Sequence, residues 1–408
     1  MIWQFALRYF RARKSTSAIN IIAWVSVGAI AVGTAALIIV LSVFNGFTGL
    51  VKSLYSSFYP TLKVVPATGK TLLLTDSQLK AIAATPGVAY LSRSIEEKAV
   101  LRNGNEQTIA VLKGVDSGFT KVAGVQDKIV RGKFDLGRDL GYLAVIGLGI
   151  ESALGVDVEH SQVPVNVYIP RRDASFNPGM PEQSINNGVI YPAGTFAIQQ
   201  EFDARYVLVD INFMRTLLDM APGEISALEI EVEPGASDGK VKRRLQELLG
   251  EGVKVQTRME QNVTVYNVMQ TEKWVTYVFL SFILVIAAFN MIGSLSMLVI
   301  EKQKDITILK AMGGRNSLIQ RIFLSEGLII AGAGSIIGFT LAVTICLLQQ
   351  HFGLIKLGGG SFLIDAFPVE MHLQDFVLVS LTILVIGVLA SWYPASRAAR
   401  QEITLKAT

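Results

Sequence analysis

Four stretches of this chain contain no charged residue: Ile19–Val43, Trp274–Ile300, Gly327–Leu348 and Phe376–Tyr393. They hold 25, 27, 22 and 18 residues. A helix needs roughly 20 apolar residues to cross the hydrocarbon core, where lipid offers the backbone no hydrogen-bond partner outside the helix itself. The first three reach that length, and the fourth is marginal but uniformly apolar. Buried helices of a large soluble core are the competing reading. Only 17% of the residues are charged, where roughly 25% is usual for soluble domains, and this favours four membrane spans. The first stretch is far longer than the roughly 7–15 apolar residues of a signal peptide, and SVFNGF follows it in place of a cleavage site. It reads as an uncleaved anchor.

Topology follows from charge. Arg8, Arg11, Arg13 and Lys14 precede the first span without an acid among them. Lys302, Lys304, Lys310, Arg315 and Arg321 lie around the connection between spans two and three, and Arg397, Arg400 and Lys406 follow span four. The connection between spans three and four carries Lys356 against Asp365, Glu370 and Asp375. Basic residues in short loops stay cytoplasmic. Both termini and the middle connection are therefore expected inside, and the segment Asn45–Glu272 outside.

That segment is long enough for one or two domains. Strand-like runs occur at Thr61–Val65, Tyr142–Ile146, Val163–Ile169 and Arg205–Asp210. Ile95–Leu101 and Gln107–Lys113 flank an Asn103-Gly104 hairpin signal. Ser226–Glu233 alternates apolar and acidic residues, as a half-exposed strand does. Helical patterns fall at Gln78–Ala84, Asn212–Met220 and Asp238–Leu249, and Met259–Glu272 predicts a helix continuous with span two. The fold class expected is an α-helical membrane domain with four transmembrane helices plus a large α+β domain inserted between helices 1 and 2. The divisions expected are 1–45, 46–272 and 273–408. Charges in the insert nearly balance, so no nucleic-acid footprint is present.

Catalytic chemistry is hard to find. Gly69-Lys70-Thr71 resembles the end of a phosphate loop, but Val64 stands where the opening glycine belongs, so a turn is expected. Three histidines without ligand-like spacing and a single cysteine, Cys346, give no metal site and no disulfide. No cofactor is expected, and the chain reads as a non-enzyme. Gly332, Gly334 and Gly338 place small residues on one side of span three, which suits close helix packing. Glu326 opens two readings: a charge that transmits a conformational change, or an interfacial carboxylate at one end of span three.

The connection Glu301–Gly327 is the most specific segment. It runs EKQKDITILKAMGG and then RNSLIQRIFLSEG. Ile306, Ile308, Leu309 and Met312 form an apolar set ringed by Lys302, Asp305 and Lys310, and Gly313-Gly314 ends the helix. This pattern resembles the hallmark loop of the FtsX/MacB-like (type VII) ABC transporter permeases. Leu41-Ser-Val-Phe-Asn-Gly-Phe-Thr48 looks like the LSVMNGF pattern of the lipoprotein-releasing (Lol) permeases, with Phe44 in place of Met. Ser391–Arg400 resembles the closing YPA-x-x-A-A segment, without the usual Asp-Pro after it.

The resemblance implies a MacB-like periplasmic core in the insert, a bacterial inner-membrane location and mechanotransmission. It implies as partners a separate ABC ATPase subunit (LolD-like), a second permease copy or paralogue, a periplasmic lipoprotein carrier (LolA-like), lipoprotein substrates and membrane lipids. Asp305, Ile306, Ile308, Leu309, Lys310, Met312 and Gly313 would form the ATPase-coupling helix. Acyl chains would meet Leu37, Val40, Leu41, Phe44 and Phe47 on span one and a facing half of span two, Val278, Phe279, Phe282 and Ile286. A carrier-binding hook would lie in Arg171–Gly188, with Arg171, Arg172, Pro178, Gly179, Met180 and Pro181. Efflux or peptide export of the MacB type is one alternative. A non-transport scaffold regulating a cell-wall hydrolase is another.

Overall fold

A computed structural model describes residues 17–137, 141–159, 163–172, 184–356 and 366–401. The longer helices, in chain order, are α1 (Ser17–Ser56), α2 (Asp76–Ala83), α3 (Ile211–Leu217), α4 (Asp238–Leu249), α5 (Val263–Glu301), α6 (Gln303–Ala311), α7 (Asn316–Phe352) and α8 (Leu373–Ala399). The strands are β1 (Leu62–Pro66), β2 (Leu72–Leu73), β3 (Val88–Asn103), β4 (Glu106–Val115), β5 (Ile129–Gly132), β6 (Leu143–Gly147), β7 (Val165–Pro170), β8 (Ile185–Phe196), β9 (Tyr206–Asp210), β10 (Glu224–Ile225), β11 (Ala227–Val232) and β12 (Val253–Thr257). The chain divides into two compact units. One comprises residues 1–50, 267–358 and 364–408, and the other residues 51–266 and 359–363.

The first unit is helical. Helices α1, α5, α7 and α8 are each long and apolar enough to cross a membrane. This is a multi-pass membrane protein. At 1.5 Å per residue, the 39 residues of α5 extend about 58 Å, roughly twice the thickness of the hydrocarbon core. The core of the unit gathers Ile30, Leu37, Ile38 and Leu41 of α1, Leu284, Met291 and Leu295 of α5, Ile330 of α7, and Val379 and Ile383 of α8. Small residues set the spacing. A Cβ on Gly338 of α7 would stand 2.6 Å from the Ala31 carbonyl of α1, and one on Gly327 would stand 1.8 Å from the Ser391 hydroxyl of α8. Glycine lets backbones meet where lipid gives helices no hydrophobic reason to associate. Glu326 is buried at 2% exposure inside this packing, and its Oε2 has no hydrogen-bond partner among the described residues.

The second unit is α+β. Its main sheet has the order β12-β1-β11-β3-β4-β9-β6-β8-β5. Strand β7 pairs with both β3 and β8, so β3, β4, β9, β6, β8 and β7 close into a ring. The expected hairpin is present: β3 and β4 pair down to Asn103↔Glu106 around Gly104, which has φ +58°. Helix α2 begins at Asp76, two residues before the pattern suggested, after Thr75 and Gln78 form a reciprocal capping box. The helix predicted continuously from Met259 is interrupted. Thr257 and Glu260 cap a short turn, Asn262 leaves helical geometry, and α5 starts at Val263.

Strand β11 departs from the half-exposed reading. Glu229 is fully buried and pairs with Lys113 of β4 at 2.8 Å, and Lys113 is itself only 1% exposed. Glu96 of β3 bridges onward, 3.7 Å from Lys113 and 2.9 Å from Lys63. Lys113 also lies over the rings of Phe58 and Phe119, at 4.8 and 5.0 Å. Phe58 in turn packs on Phe202 and Tyr206. Glu229 of β11 therefore faces a covered, aromatic-walled charge network. Burial alone would raise the Glu96 carboxyl, but Lys63 and Lys113 draw it down to about 2.

Candidate functional site

The connection between α5 and α7 folds as the separate helix α6. Lys302 leaves α-helical geometry between the two helices. Asp305, in the first turn, lies 4.0 Å from Lys302. At the other end Met312 is the C-cap, and Gly313 takes φ +88°, a conformation that costs other residues a Cβ clash. The nine residues of α6 are too few for a helix that is stable alone. Its anchors are visible. Ile306 is 4% exposed and packs in a small core with Val299, Ile319, Phe323, Ala395 and Ala398. Lys310 donates to the carbonyls of Ala399 (2.9 Å) and Gln401 (2.5 Å), at the C-terminal end of α8, where a cation suits the helix dipole.

The expected apolar set is therefore divided. Ile306 faces inward, and Lys310 is committed to α8 instead of ringing a docking face. Ile308 and Met312, one turn apart, are 58% and 79% exposed, and Leu309 between them is half-buried. An exposed Ile/Met pair on an anchored helix is an apolar contact surface of modest size.

The residues expected to meet acyl chains also separate. Leu37 and Leu41 are buried in the helical core, while Val40, Phe44 and Phe47 are half-buried. On α5 the side that meets α1 carries Leu284, whose Cδ2 would lie 2.8 Å from a Cβ on Gly33. Val278, Phe279, Phe282 and Ile286 are 49–70% exposed and lie on the opposite side of α5. Span two thus does not turn its predicted residues towards α1. Helical register was legible in the sequence, but the direction of the neighbouring helix was not.

One cluster escaped the sequence reading. Asn45 near the end of α1, Lys273 of α5 and Asp375 of α8 converge. Asn45 Oδ1 accepts from Lys273 Nζ at 2.7 Å, and Asn45 Nδ2 donates to Asp375 Oδ2 at 2.5 Å. Lys273 Nζ reaches Asp375 Oδ1 at 3.3 Å. The Asn45 amide also reaches the Glu370 carbonyl, and the Glu370 amide donates to the Ser42 carbonyl. Asn45 and Asp375 are both buried at 6% exposure. Gly46 is required beside them, since a Cβ there would stand 2.4 Å from the Pro368 carbonyl oxygen.

The predicted hook region is shorter than Arg171–Gly188. Ile185–Gly188 belong to β8, with Ile185 opposite Pro170 and Gly188 opposite Val167. Arg171 donates to Asn186 Oδ1 at 2.7 Å, and Arg172 pairs with Glu224 at 2.7 Å, so both guanidinium groups are engaged within the domain. Pro178, Gly179, Met180 and Pro181 lie outside the described residues.

Two family models match successive parts of the chain. The model of the MacB-like periplasmic core domain matches residues 23–248, and that of the FtsX-like permease C-terminal part matches residues 277–403. The lipoprotein-releasing system transmembrane protein LolE of Haemophilus influenzae is 25% identical over 96% of this chain and 95% of its own length. The corresponding LolC proteins of Neisseria meningitidis and Xylella fastidiosa are 26% and 27% identical, each over 97% of this chain and 95–96% of their own. The chain belongs to the MacB-like family of permeases, with an FtsX-like C-terminal part, and is similar along nearly its whole length to the LolC and LolE proteins.

Proposed function

We propose that this chain is the permease subunit of a lipoprotein-releasing ABC transporter. In this reading a separate ATPase supplies the energy. The single observation that supports it most is α6: a short helix held by Ile306 and Lys310 that presents Ile308 and Met312 outward. An ATPase cleft that receives this pair would push on a helix already fastened to α7 and α8. Similarity to LolC and LolE over almost the full chain selects lipoproteins as the cargo class.

The charge pattern then assigns the termini and α6 to the cytoplasm and the α+β unit to the periplasm, with the chain in the inner membrane. A second permease, identical or paralogous, completes the transporter, and a periplasmic carrier receives the cargo near Arg171 and Arg172. The outward apolar face of α5, from Val278 to Ile286, is offered to lipid acyl chains.

The test is expression of the tagged chain from its own chromosomal position, gentle extraction, and mass spectrometry of what co-purifies. The expected result is an ATPase together with diacyl- or triacyl-modified lipoproteins. Recovery of an outer-membrane channel or a cell-wall hydrolase in their place would refute the lipoprotein reading.

A further inference from the structure

Within the α+β unit, residues of α3 and β8 line a cleft of about 320 Å³, together with Tyr142 and Arg171. Small-ligand pockets occupy about 300–1,000 Å³, so the cleft has room for a small molecule. One wall is aromatic. Tyr142 and Phe213 pack with ring centroids 4.8 Å apart. Gly188 of β8 makes space for the second ring, since a Cβ there would stand 2.9 Å from Phe213 Cζ.

Two opposite charges line this cleft without pairing to each other. Arg171 donates from Nε to Asn186 Oδ1 at 2.7 Å, a neutral partner, which leaves the outer guanidinium nitrogens uncommitted among the described residues. Asn186 Nδ2 in turn donates to the Leu217 carbonyl at 2.7 Å, at the end of α3. Asp219 stands two residues farther along. One amide side chain therefore separates the cation from the helix end that carries the anion.

Asp219 is placed against its local preferences. Helix α3 closes with a bond from the Met220 amide to the Arg215 carbonyl at 3.0 Å, which puts Asp219 in the left-handed position where glycine is usual. Among the described residues it alone, glycines apart, has a positive φ, at +53°. A carboxylate at the carbonyl end of a helix is also disfavoured by the helix dipole. Asp219 has no hydrogen-bond or ion-pair partner among the described residues. Asparagine would suit this backbone as well and carry no charge. Folding therefore gives no reason for the carboxylate, and a local rule broken without compensation points to a functional site.

We propose that this cleft binds a small zwitterion, an α-amino acid with an apolar side chain. Its carboxylate takes the outer nitrogens of Arg171, in the fork geometry that suits a carboxylate. Its ammonium takes Asp219 and the carbonyl end of α3. Its side chain lies on Tyr142 and Phe213. A lone anion would be repelled by Asp219 and a lone cation by Arg171, so the ligand must carry both charges. The site rests on the geometry of the α+β unit and is independent of the lipoprotein reading.

The experiment uses the full-length chain in phosphatidylglycerol nanodiscs, which bring no ammonium group. The probe is L-phenylalanine, followed by isothermal titration and saturation-transfer NMR. It should bind, and both N-acetyl-L-phenylalanine and L-phenylalaninamide should bind at least tenfold more weakly, because each lacks one charge. Asp219→Asn and Arg171→Gln should each lower affinity for phenylalanine at least tenfold. Asp219→Asn should melt no earlier than the parent, which separates lost binding from lost folding. Equal binding of either capped analogue, or unchanged affinity in Asp219→Asn, overturns the proposal. So does a parent protein that fails to bind phenylalanine at millimolar concentration. Binding of phosphoethanolamine in its place would overturn the amino-acid assignment and give the cleft to a lipid headgroup.

Discussion

The two sides of α6 should respond oppositely to truncation. Full burial of an Ile or Met side chain contributes about 1.5–3 kcal/mol. Ile308 and Met312 still expose 58% and 79% of their surface, so more than half of that gain is available to a docking partner. Ile308→Ala with Met312→Ala should then remove about 2–3 kcal/mol of association, a roughly 30- to 150-fold loss in affinity for the ATPase. Stability of the permease should barely change, because neither side chain belongs to its core. Ile306→Ala should do the reverse. That side chain is 4% exposed among Val299, Phe323 and Ala395, and its truncation should destabilise the helical unit locally by about 2–5 kcal/mol. The assay is titration of the co-purified ATPase onto detergent-solubilised permease, followed by binding and stimulated hydrolysis, with thermal unfolding in parallel. Wild-type affinity in the double variant would refute the docking argument. So would Ile306→Ala if it abolished binding without altering stability.

Lys113→Met should destabilise the α+β unit by about 3–5 kcal/mol, since it strands the buried Glu229; adding Glu229→Met should recover much of the loss, read by thermal unfolding. The Glu96 carboxyl is held at about 2 in the folded state against an ordinary 4.5, so its stabilising contribution is present above about 4.5 and is lost as pH falls towards about 2. Melting temperature should therefore drop through that acidic window, and less steeply in Glu96→Gln. Gly46→Ala should disturb the end of α1 by about 1–3 kcal/mol, because the nearest atom to the new Cβ is a backbone carbonyl oxygen that cannot swing away; proteolysis near Pro368 should accelerate, and an unaltered cleavage pattern would count against the close approach.

The four spans and most strands were legible because each depends on local pattern. Charge-free runs define helices in lipid, and period-two alternation defines strands. What local pattern does not encode is which covered surface a residue faces. Glu229 sits in an alternating run that reads as a half-exposed strand, yet Lys113 and the rings above it turn that side into an interior. Ile185–Gly188 looked like part of a polar loop, because Ser184, Asn186, Asn187 and Gly188 carry loop chemistry. Pairing with Val167–Pro170 overrides that preference. Asn262 likewise breaks a helix that composition alone would have continued.

The same limit governs the site. Asn45 stands in a patterned segment, but Lys273 and Asp375 are unremarkable in their own neighbourhoods, and only the convergence of the three gives them meaning. The LSVFNGF segment shows the difference between a pattern and its reasons. Leu41 fills the helical core, and the Ser42 carbonyl accepts from Glu370. Asn45 contacts both members of an ion pair, and Gly46 admits the Pro368 backbone. Four positions in six residues are thus fixed by contacts to α5, to α8, and to the residues leading into α8. A motif of this kind marks where three helices meet. Substitutions within it should therefore act on how α1, α5 and α8 part or stay together, and not on the affinity of any one side chain for cargo.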